Sequence, residues 1–391
     1  MVIRIVGIAK ETREDERRVA LTPAVVPALV KAGLAVLVEA GAGTEAGFPD
    51  TAYRDRGAEV VAGRTEVFER ADLLVQVRTL GVNPVAGRAD LDLLRPGQVV
   101  VGLASPLDSV EAAQELAARG VTLFALELMP RSTRAQAMDV LSSQATVAGY
   151  KAVLVAAGSL PKLFPMMTTA AGTLAPARVL VIGAGVAGLQ AIATARRLGG
   201  VVEAYDVRQA AAEEVESLGA RFVELPLQPG DAEDASGYAK ALGEAFYRRQ
   251  QELLGEVVAK NDVVICTALL QGKPAPMLVT ADAVHAMAPG SVVIDLAAEK
   301  GGNCALTVAD ATIVTEGGVI VMGPTNLAAT VPLHASQMFA KNASAFVLHL
   351  VHDGELVVDP EDPIATQTLV CRDGEVVHPK MRPLPGEGRA A

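Results

Sequence analysis

Val179-Leu180-Val181-Ile182-Gly183-Ala184-Gly185-Val186-Ala187-Gly188 is the stretch that decides the fold. Four aliphatic residues run into three glycines spaced G-x-G-x-x-G, and helix-forming residues follow to Ala195, so the segment reads as strand, tight turn, helix. A first glycine permits the turn, a second lets backbone N–H groups approach a pyrophosphate, and a third lets the helix close on its strand. The seventeen residues Val179 to Ala195 contain Gln190 as their one strongly polar member and nearly reach the length of a membrane span. The crowded glycines assign them to a soluble dinucleotide turn instead. The next aliphatic run, Val201 to Tyr205, ends at Asp206, eighteen residues after Gly188. A carboxylate there accepts hydrogen bonds from an adenosine ribose and repels a 2′-phosphate, which favours NAD over NADP, although Arg208 works against that preference. A glycine-rich turn without a ligand is the alternative.

Outward from this turn the pattern repeats. Val179–Ile182, Val201–Tyr205, Arg221–Glu224, Val263–Cys266 and Val292–Asp295 read as buried strands separated by helix-length segments. Upstream, Ile3–Ile8, Ala35–Glu39, Leu73–Val77, Val99–Leu103 and Val121–Ala125 form an earlier series of the same kind. Two series predict an α/β protein of two Rossmann-like domains with mainly parallel sheets. A Pro-free stretch from Ala135 to Gly158 predicts one long linking helix, and Leu333 to Val351 predicts another that returns the chain to the first domain. The expected domains are therefore 1–145 plus 330–391 and 146–329, with a cleft between them. Asp373-Gly374, between two short apolar runs, predicts a terminal hairpin, and Arg382 to Ala391 is expected to be loose.

Composition removes several functions. Thirty-four Lys and Arg against 45 Asp and Glu give a net charge of -11, which argues against nucleic-acid and anionic-membrane surfaces. Cys266, Cys304 and Cys371 are widely separated and form no C-x-x-C pair, so neither a disulfide framework nor a metal site is expected. His349 and His352 lie at helical spacing but lack a third ligand nearby and read as surface or interface residues. Arg4 and the charged run Lys10 to Arg18 interrupt any signal-peptide core, and a cytoplasmic location is expected.

Two further segments invite chemistry. Pro226 to Gly237 is longer than the usual connection of about two to six residues, and Tyr238 stands where it meets the next helix, placed to fold over a nucleotide. Its alternative is a surface insertion with an incidental Tyr. Gln136, Asp139 and Ser142 are three apart, so on a helix they share a face, with Arg131 just before them. Thr133-Arg134-Ala135-Gln136 as a capping box, with Asp139 and Ser142 on a solvated face, explains the same residues without function. Most discriminating is an absence. Reduction of a keto or imino acid consumes a proton as well as a hydride, which calls for His or Lys beside the nicotinamide. The chain has no His before His285, and its first 150 residues hold only Lys10 and Lys31. A hydride acceptor that needs no proton, such as a second nicotinamide ring, lifts the requirement.

Together these stretches resemble the alanine dehydrogenase and NAD(P) transhydrogenase family, on its NAD(H)-binding transhydrogenase branch. The resemblance rests on Arg18-Val-Ala-Leu-Thr-Pro23, the run Glu127 to Asp139, Leu141-Ser-Ser-Gln144, Ala148-Gly-Tyr-Lys-Ala152, the glycine turn, Ser236-Gly-Tyr-Ala-Lys240, Gly272-Lys-Pro-Ala-Pro276 and Gly301-Gly-Asn-Cys304. It implies that Arg131, Gln136, Asp139 and Ser142, with Ser132, Thr133 and Arg134 of the same run, hold the nicotinamide end. By the same resemblance Asp206, Val207 and Arg208 surround the adenosine ribose, and Val186, Gly237, Gln250 and Leu269 make further nucleotide contacts. Tyr238 matches the tip of a mobile loop. Where alanine dehydrogenases carry a catalytic Lys and His, this sequence has Arg78 and Ser105. The activity implied by resemblance is hydride transfer from NADH to NADP+ on a partner subunit, coupled to proton passage through a membrane-embedded subunit. The implied assembly is a homodimer attached peripherally to the inner membrane by those partners, with no insertion of its own. A soluble amino-acid dehydrogenase and a non-catalytic NAD-sensing module are the alternatives.

Overall fold

Val179, Leu180, Val181 and Ile182 are all fully buried, which a strand achieves only when both faces of its sheet are covered. The structure is a computed structural model that describes residues 1–227, 244–270 and 272–381. It divides into two units, Met1–Gln144 with the chain from Ala329 onward, and Ala145–Ala328.

The second unit carries a seven-stranded sheet. From one edge its order is Arg221–Phe222, Val201–Tyr205, Arg178–Ile182, Val263–Cys266, Val292–Asp295, Ile320–Met322 and Thr312–Val314. All neighbours are parallel except the last pair. The chain winds outward from the Arg178–Ile182 strand in both directions, the doubly wound order whose ligand crevice lies at the carboxyl ends of the strands where the order reverses. Alternate residues feed separate cores: Val179, Val181, Val263 and Ile265 pack on one face, and Leu180, Ile182, Val264 and Cys266 on the other. Two-sided burial explains why these strands show no polar alternation.

The first unit repeats the plan. Its eight-stranded sheet runs Glu375–Val376, Leu369–Arg372, Thr122–Ala125, Val99–Leu103, Leu73–Arg78, Ile5–Ile8, Ala35–Glu39 and Glu59–Val61. The last six of these are mutually parallel. The C-terminal hairpin adds antiparallel to Thr122–Ala125, and Asp373 and Gly374, both at positive φ, make the tight turn that the sequence predicts.

Helical boundaries depart from expectation at one important place. The helix expected from Ala135 begins at Val140 and runs to Ser159; Gln136–Met138 is a separate 3-10 turn, and Asp139 between them is extended. Val140–Ser159 is long and apolar enough to cross a membrane, but Ala152, Val153 and Ala156 are fully buried in the second unit's core. The second long helix spans Pro332–Leu350. Tyr238, Gly237, most of the Pro226–Gly237 loop and Arg382 to Ala391 lie outside the described residues.

Candidate functional site

In the second unit the three glycines meet three different demands. Gly183 sits at φ +95°, and a Cβ there would lie 2.7 Å from Thr267 Oγ1. Gly188 presses its helix onto the turn so closely that a Cβ would fall 1.8 Å from the Gly183 carbonyl oxygen. Gly185 has ordinary extended dihedrals, φ -79° and ψ -170°, and among the described residues a Cβ on it would meet nothing within 4 Å. Its lack of a side chain serves no packing purpose there, and leaves room for something outside the chain. Gly185 N-caps the helix Val186–Arg197 with no side-chain cap hydrogen bond, and both Gly185 and Val186 are exposed. An anion is the fitting partner for such a helix start.

Asp206, at the end of the neighbouring strand, is nearly buried. Its Oδ2 accepts the Ala184 N–H of the turn at 2.8 Å. Its Oδ1 accepts the Arg208 N–H at 2.8 Å, and the Arg208 guanidinium adds bonds of 3.0 Å to each carboxylate oxygen. The sequence places Asp206 and Arg208 two residues apart; the structure joins them as one bidentate unit, so the carboxylate faces the site with its charge already compensated. Val207 lies between them. Gln250, from the helix Glu244–Val258, is buried and donates its Nε2–H to Tyr205 Oη at 2.7 Å. Its Oε1 is buried with no hydrogen-bond partner among the described residues, an unmet acceptor that a bound group carrying N–H or O–H would satisfy. Leu269, half exposed, follows Ala268, whose N–H and C=O are both clamped by the Asn303 side chain at 3.0 and 2.9 Å. Asn303 is in turn held by buried Asp295, which accepts the Asn303 and Cys304 N–H groups and the Thr307 hydroxyl. Sequence reasoning missed this Asp295–Asn303 clamp. Its signal was available, since Val292-Val293-Ile294-Asp295 ends a buried apolar run in an acid just as Tyr205-Asp206 does.

In the first unit, the polar residues from Arg131 to Ser142 do not share a helical face. Arg131, Ser132, Thr133, Arg134 and Gln136 are exposed on the loop and 3-10 turn before the helix. Asp139 caps the helix: its Oδ1 accepts the Ser142 N–H at 2.9 Å and its Oδ2 the Ser142 hydroxyl at 2.5 Å. The capping reading is thus right in kind but wrong in residue, because the Asp139 carboxylate and not the Thr133 to Gln136 box starts the helix. Arg134 pairs with Asp362, and Ser132 Oγ accepts the Ala135 N–H at 3.3 Å.

The carboxyl edge of the first sheet holds a buried charged cluster. Arg78 ends its strand and donates Nε–H to Glu16 Oε2 at 2.9 Å. Arg18 grips the same carboxylate through Nε and Nη2 at 2.7 and 2.6 Å. Burial alone would raise Glu16, yet the bonds and charges of Arg18 and Arg78 hold it down at about 2. Glu11 accepts the Val77 and Arg78 N–H groups; burial and the Glu16 charge push it up to about 8. Ser105 stands just beyond the Val99–Leu103 strand at φ +40°, its N–H and that of Ala104 both directed at Glu127 Oε1.

Residues 7–148 match the family model for the alanine dehydrogenase/PNT N-terminal domain, and residues 152–379 match the C-terminal domain of the same family. The chain belongs to the alanine dehydrogenase/PNT family. Within it, a Rhodospirillum rubrum protein, named as the first part of NAD(P) transhydrogenase subunit alpha, is 45% identical over 96% of this chain and 98% of its own length. The solved structure of a transhydrogenase from Sinorhizobium meliloti superimposes with a TM-score of 0.82 at 42% identity, covering 96% of this chain and 99% of that one. A solved L-alanine dehydrogenase gives a TM-score of 0.79 at 25% identity over 96% of this chain and 98% of its own. Both share the fold; the transhydrogenases share far more of the side chains.

Proposed function

We propose that the chain is the NAD(H)-binding subunit of a proton-translocating NAD(P) transhydrogenase, passing a hydride from NADH to NADP+ held on a partner subunit. The observation that carries this reading is the carboxyl edge of the first sheet. Oxidation of an amino acid, run in reverse, needs a proton donor there. Instead Arg78, permanently charged, is bonded to Glu16, Glu11 keeps its proton buried with both oxygens turned onto the Val77 and Arg78 N–H groups, and, by the family resemblance, Ser105 stands where a dehydrogenase carries His. Lys10, one of two lysines before Lys151, pairs with Glu45 at 3.6 Å on the surface. Transfer between two nicotinamide C4 atoms moves a hydride alone, leaves no proton to supply, and is compatible with this set of residues.

NAD(H) is a substrate here. The open helix start at Gly185 and Val186 would bind its pyrophosphate, the Asp206–Arg208 unit its adenosine ribose, and the unmet Gln250 acceptor and Leu269 would complete that half. Arg131, Gln136, Asp139 and Ser142 would hold the dihydronicotinamide so that C4 comes within about 3 to 3.5 Å of its acceptor, with Tyr238 excluding water. The Rhodospirillum rubrum relative is named as only one piece of a subunit, which supports further subunits, among them a membrane-embedded one that would anchor this chain peripherally. A homodimer is supported by the hairpin Met167–Thr169 and Gly172–Leu174, whose strands are exposed throughout and which carries Met166, Met167 and Leu174 in the open. Such a patch suits a second copy of the chain.

The test mixes the purified chain with the NADP(H)-binding subunit and follows reduction of an NAD analogue by NADPH. A rate above that of either protein alone supports the proposal. NADH formation from alanine would instead make it an amino-acid dehydrogenase, and NADH binding without either activity would make it a sensing module.

A further inference from the structure

The buried cluster of the first unit supplies no reacting group to the chemistry above, yet it reaches the segment proposed to hold the nicotinamide. Arg18 has five N–H donors in a fixed fork. Nε and Nη2 go to Glu16, whose side chain is fully buried, and Arg78 fixes that carboxylate from the end of the Leu73–Arg78 strand. The remaining terminal nitrogen, Nη1, donates to Gln144 Oε1 at 2.8 Å. The other end of the same amide donates from Nε2 to the Ala335 carbonyl at 3.0 Å, on the second long helix. Donor and acceptor ends of Gln144 are therefore both assigned, and the helix is pinned two residues after Ser142. On the preceding side, Asn342 Nδ2 donates to the Ala137 carbonyl at 2.8 Å. The Asp139–Ser142 turn lies between these two anchors.

We propose that Gln144 is a positioning residue, transmitting the rigidity of the Glu16–Arg18–Arg78 cluster to the Asp139–Ser142 turn so that the turn is already set when the nicotinamide arrives. The proposal rests on the reading of Asp139 and Ser142 as nicotinamide-end residues. Geometry of this kind matters because small misplacements at a reacting centre cost large factors in rate, while the adenosine half would be held by other residues altogether.

The experiment uses the full chain with its NADP(H)-binding partner subunit and reads two quantities: affinity for 5′-AMP, and hydride transfer at saturating nucleotide. The wild-type chain comes first. If it transfers no hydride, the functional reading falls and this proposal with it. Given wild-type transfer, Gln144→Leu removes both anchoring bonds and is expected to lower transfer tenfold or more with 5′-AMP affinity within twofold. Gln144→Glu still accepts from Arg18 but cannot donate to the Ala335 carbonyl, and its transfer rate is expected to fall between those of wild type and Gln144→Leu. Arg18→Lys keeps a cation near Glu16 but lacks the forked donor; it should reproduce the Gln144→Leu loss, and it decides the matter if Gln144→Leu does not fold. Wild-type transfer in Gln144→Leu or Arg18→Lys overturns the proposal, as do equal losses of transfer and 5′-AMP affinity or a Gln144→Glu variant as slow as Gln144→Leu.

Discussion

Adding one methyl group at two glycines of the same turn should have opposite consequences. At Gly188 the new Cβ would sit 1.8 Å from the Gly183 carbonyl oxygen and 2.9 Å from its carbon. Both are backbone atoms and cannot rotate away, so helix and strand must separate by more than 1 Å. Overpacking of this kind costs about 1–3 kcal/mol or more, which in a unit of this size lowers Tm by roughly 2–4 °C per kcal/mol. Gly188→Ala should therefore melt several degrees below wild type. At Gly185 the methyl meets no described atom within 4 Å, and φ -79° with ψ -170° is open to any residue. Restricting the unfolded chain gains about 0.4–1 kcal/mol, offset by the poorer standing of Ala at an N-cap. Gly185→Ala should thus melt within about 2 °C of wild type. Its methyl would nonetheless occupy the space where a pyrophosphate meets the helix start, and NADH affinity should fall at least tenfold. Thermal melts and fluorescence titration with NADH read both effects. Wild-type NADH affinity in a folded Gly185→Ala chain would refute the assignment of the turn to a dinucleotide, and a Gly188→Ala chain melting like wild type would refute the packing account.

Other expectations concern the same groups. Asp206→Asn can keep one acceptor for the Ala184 N–H but loses the bidentate hold on Arg208, freeing a cation to meet a 2′-phosphate, so the preference for NADH over NADPH should shrink about tenfold in competitive titration. Glu11, raised to about 8, holds a proton in the folded chain that the unfolded chain releases near 4.5. Its contribution to stability is thus complete below pH 4.5 and fades as pH climbs to about 8. Glu11→Gln should gain Tm relative to wild type between pH 5 and 8. Glu16, lowered to about 2, has the opposite sign, with stability present above pH 4.5 and lost as pH falls toward 2. Glu16→Gln should be strongly destabilised at pH 7, by a margin that narrows toward pH 3 in thermal melts. On the homodimer proposed above, Met166→Asp on the exposed hairpin should shift the chain from dimer to monomer in sedimentation at micromolar concentration; a wild-type chain that sediments as a monomer would refute that pairing.

What could be read from the sequence depends on which interactions are local. Both sheets were visible because their central strands are buried on two faces and so appear as runs dominated by aliphatic residues, with single polar breaks such as Gln76 and Glu203. Glu59–Val61, Thr312–Val314 and Ile320–Met322 escaped notice because three-residue strands toward sheet edges leave too short a run to stand out. The Asp373-Gly374 turn was legible since positive φ at consecutive positions selects those residues. The start of the Val140–Ser159 helix was misread because a helix-compatible composition extends back to Ala135, whereas the true boundary is set by one side chain, Asp139, turning to bond Ser142. Periodicity cannot register a cap that interrupts its own pattern.

The charged cluster marks where pattern reading ends. Glu11, Glu16 and Arg18 look in sequence like a solvated run, since Lys10 to Arg18 is dense in charge and charge runs usually face water. Only the fold brings Arg78 from a strand 62 residues later onto Glu16, and Gln144 from farther still onto Arg18. Burying such charges is costly unless each is paired and hydrogen-bonded, so the cluster persists only as a completed network. Completion has a chemical consequence: guanidiniums bonded to the chain's own carboxylate neither donate a proton nor change with pH. Glu11 of the same cluster does hold a proton up to about pH 8, but both its oxygens are turned onto the Val77 and Arg78 N–H groups, so the cluster fits the hydride transfer proposed above.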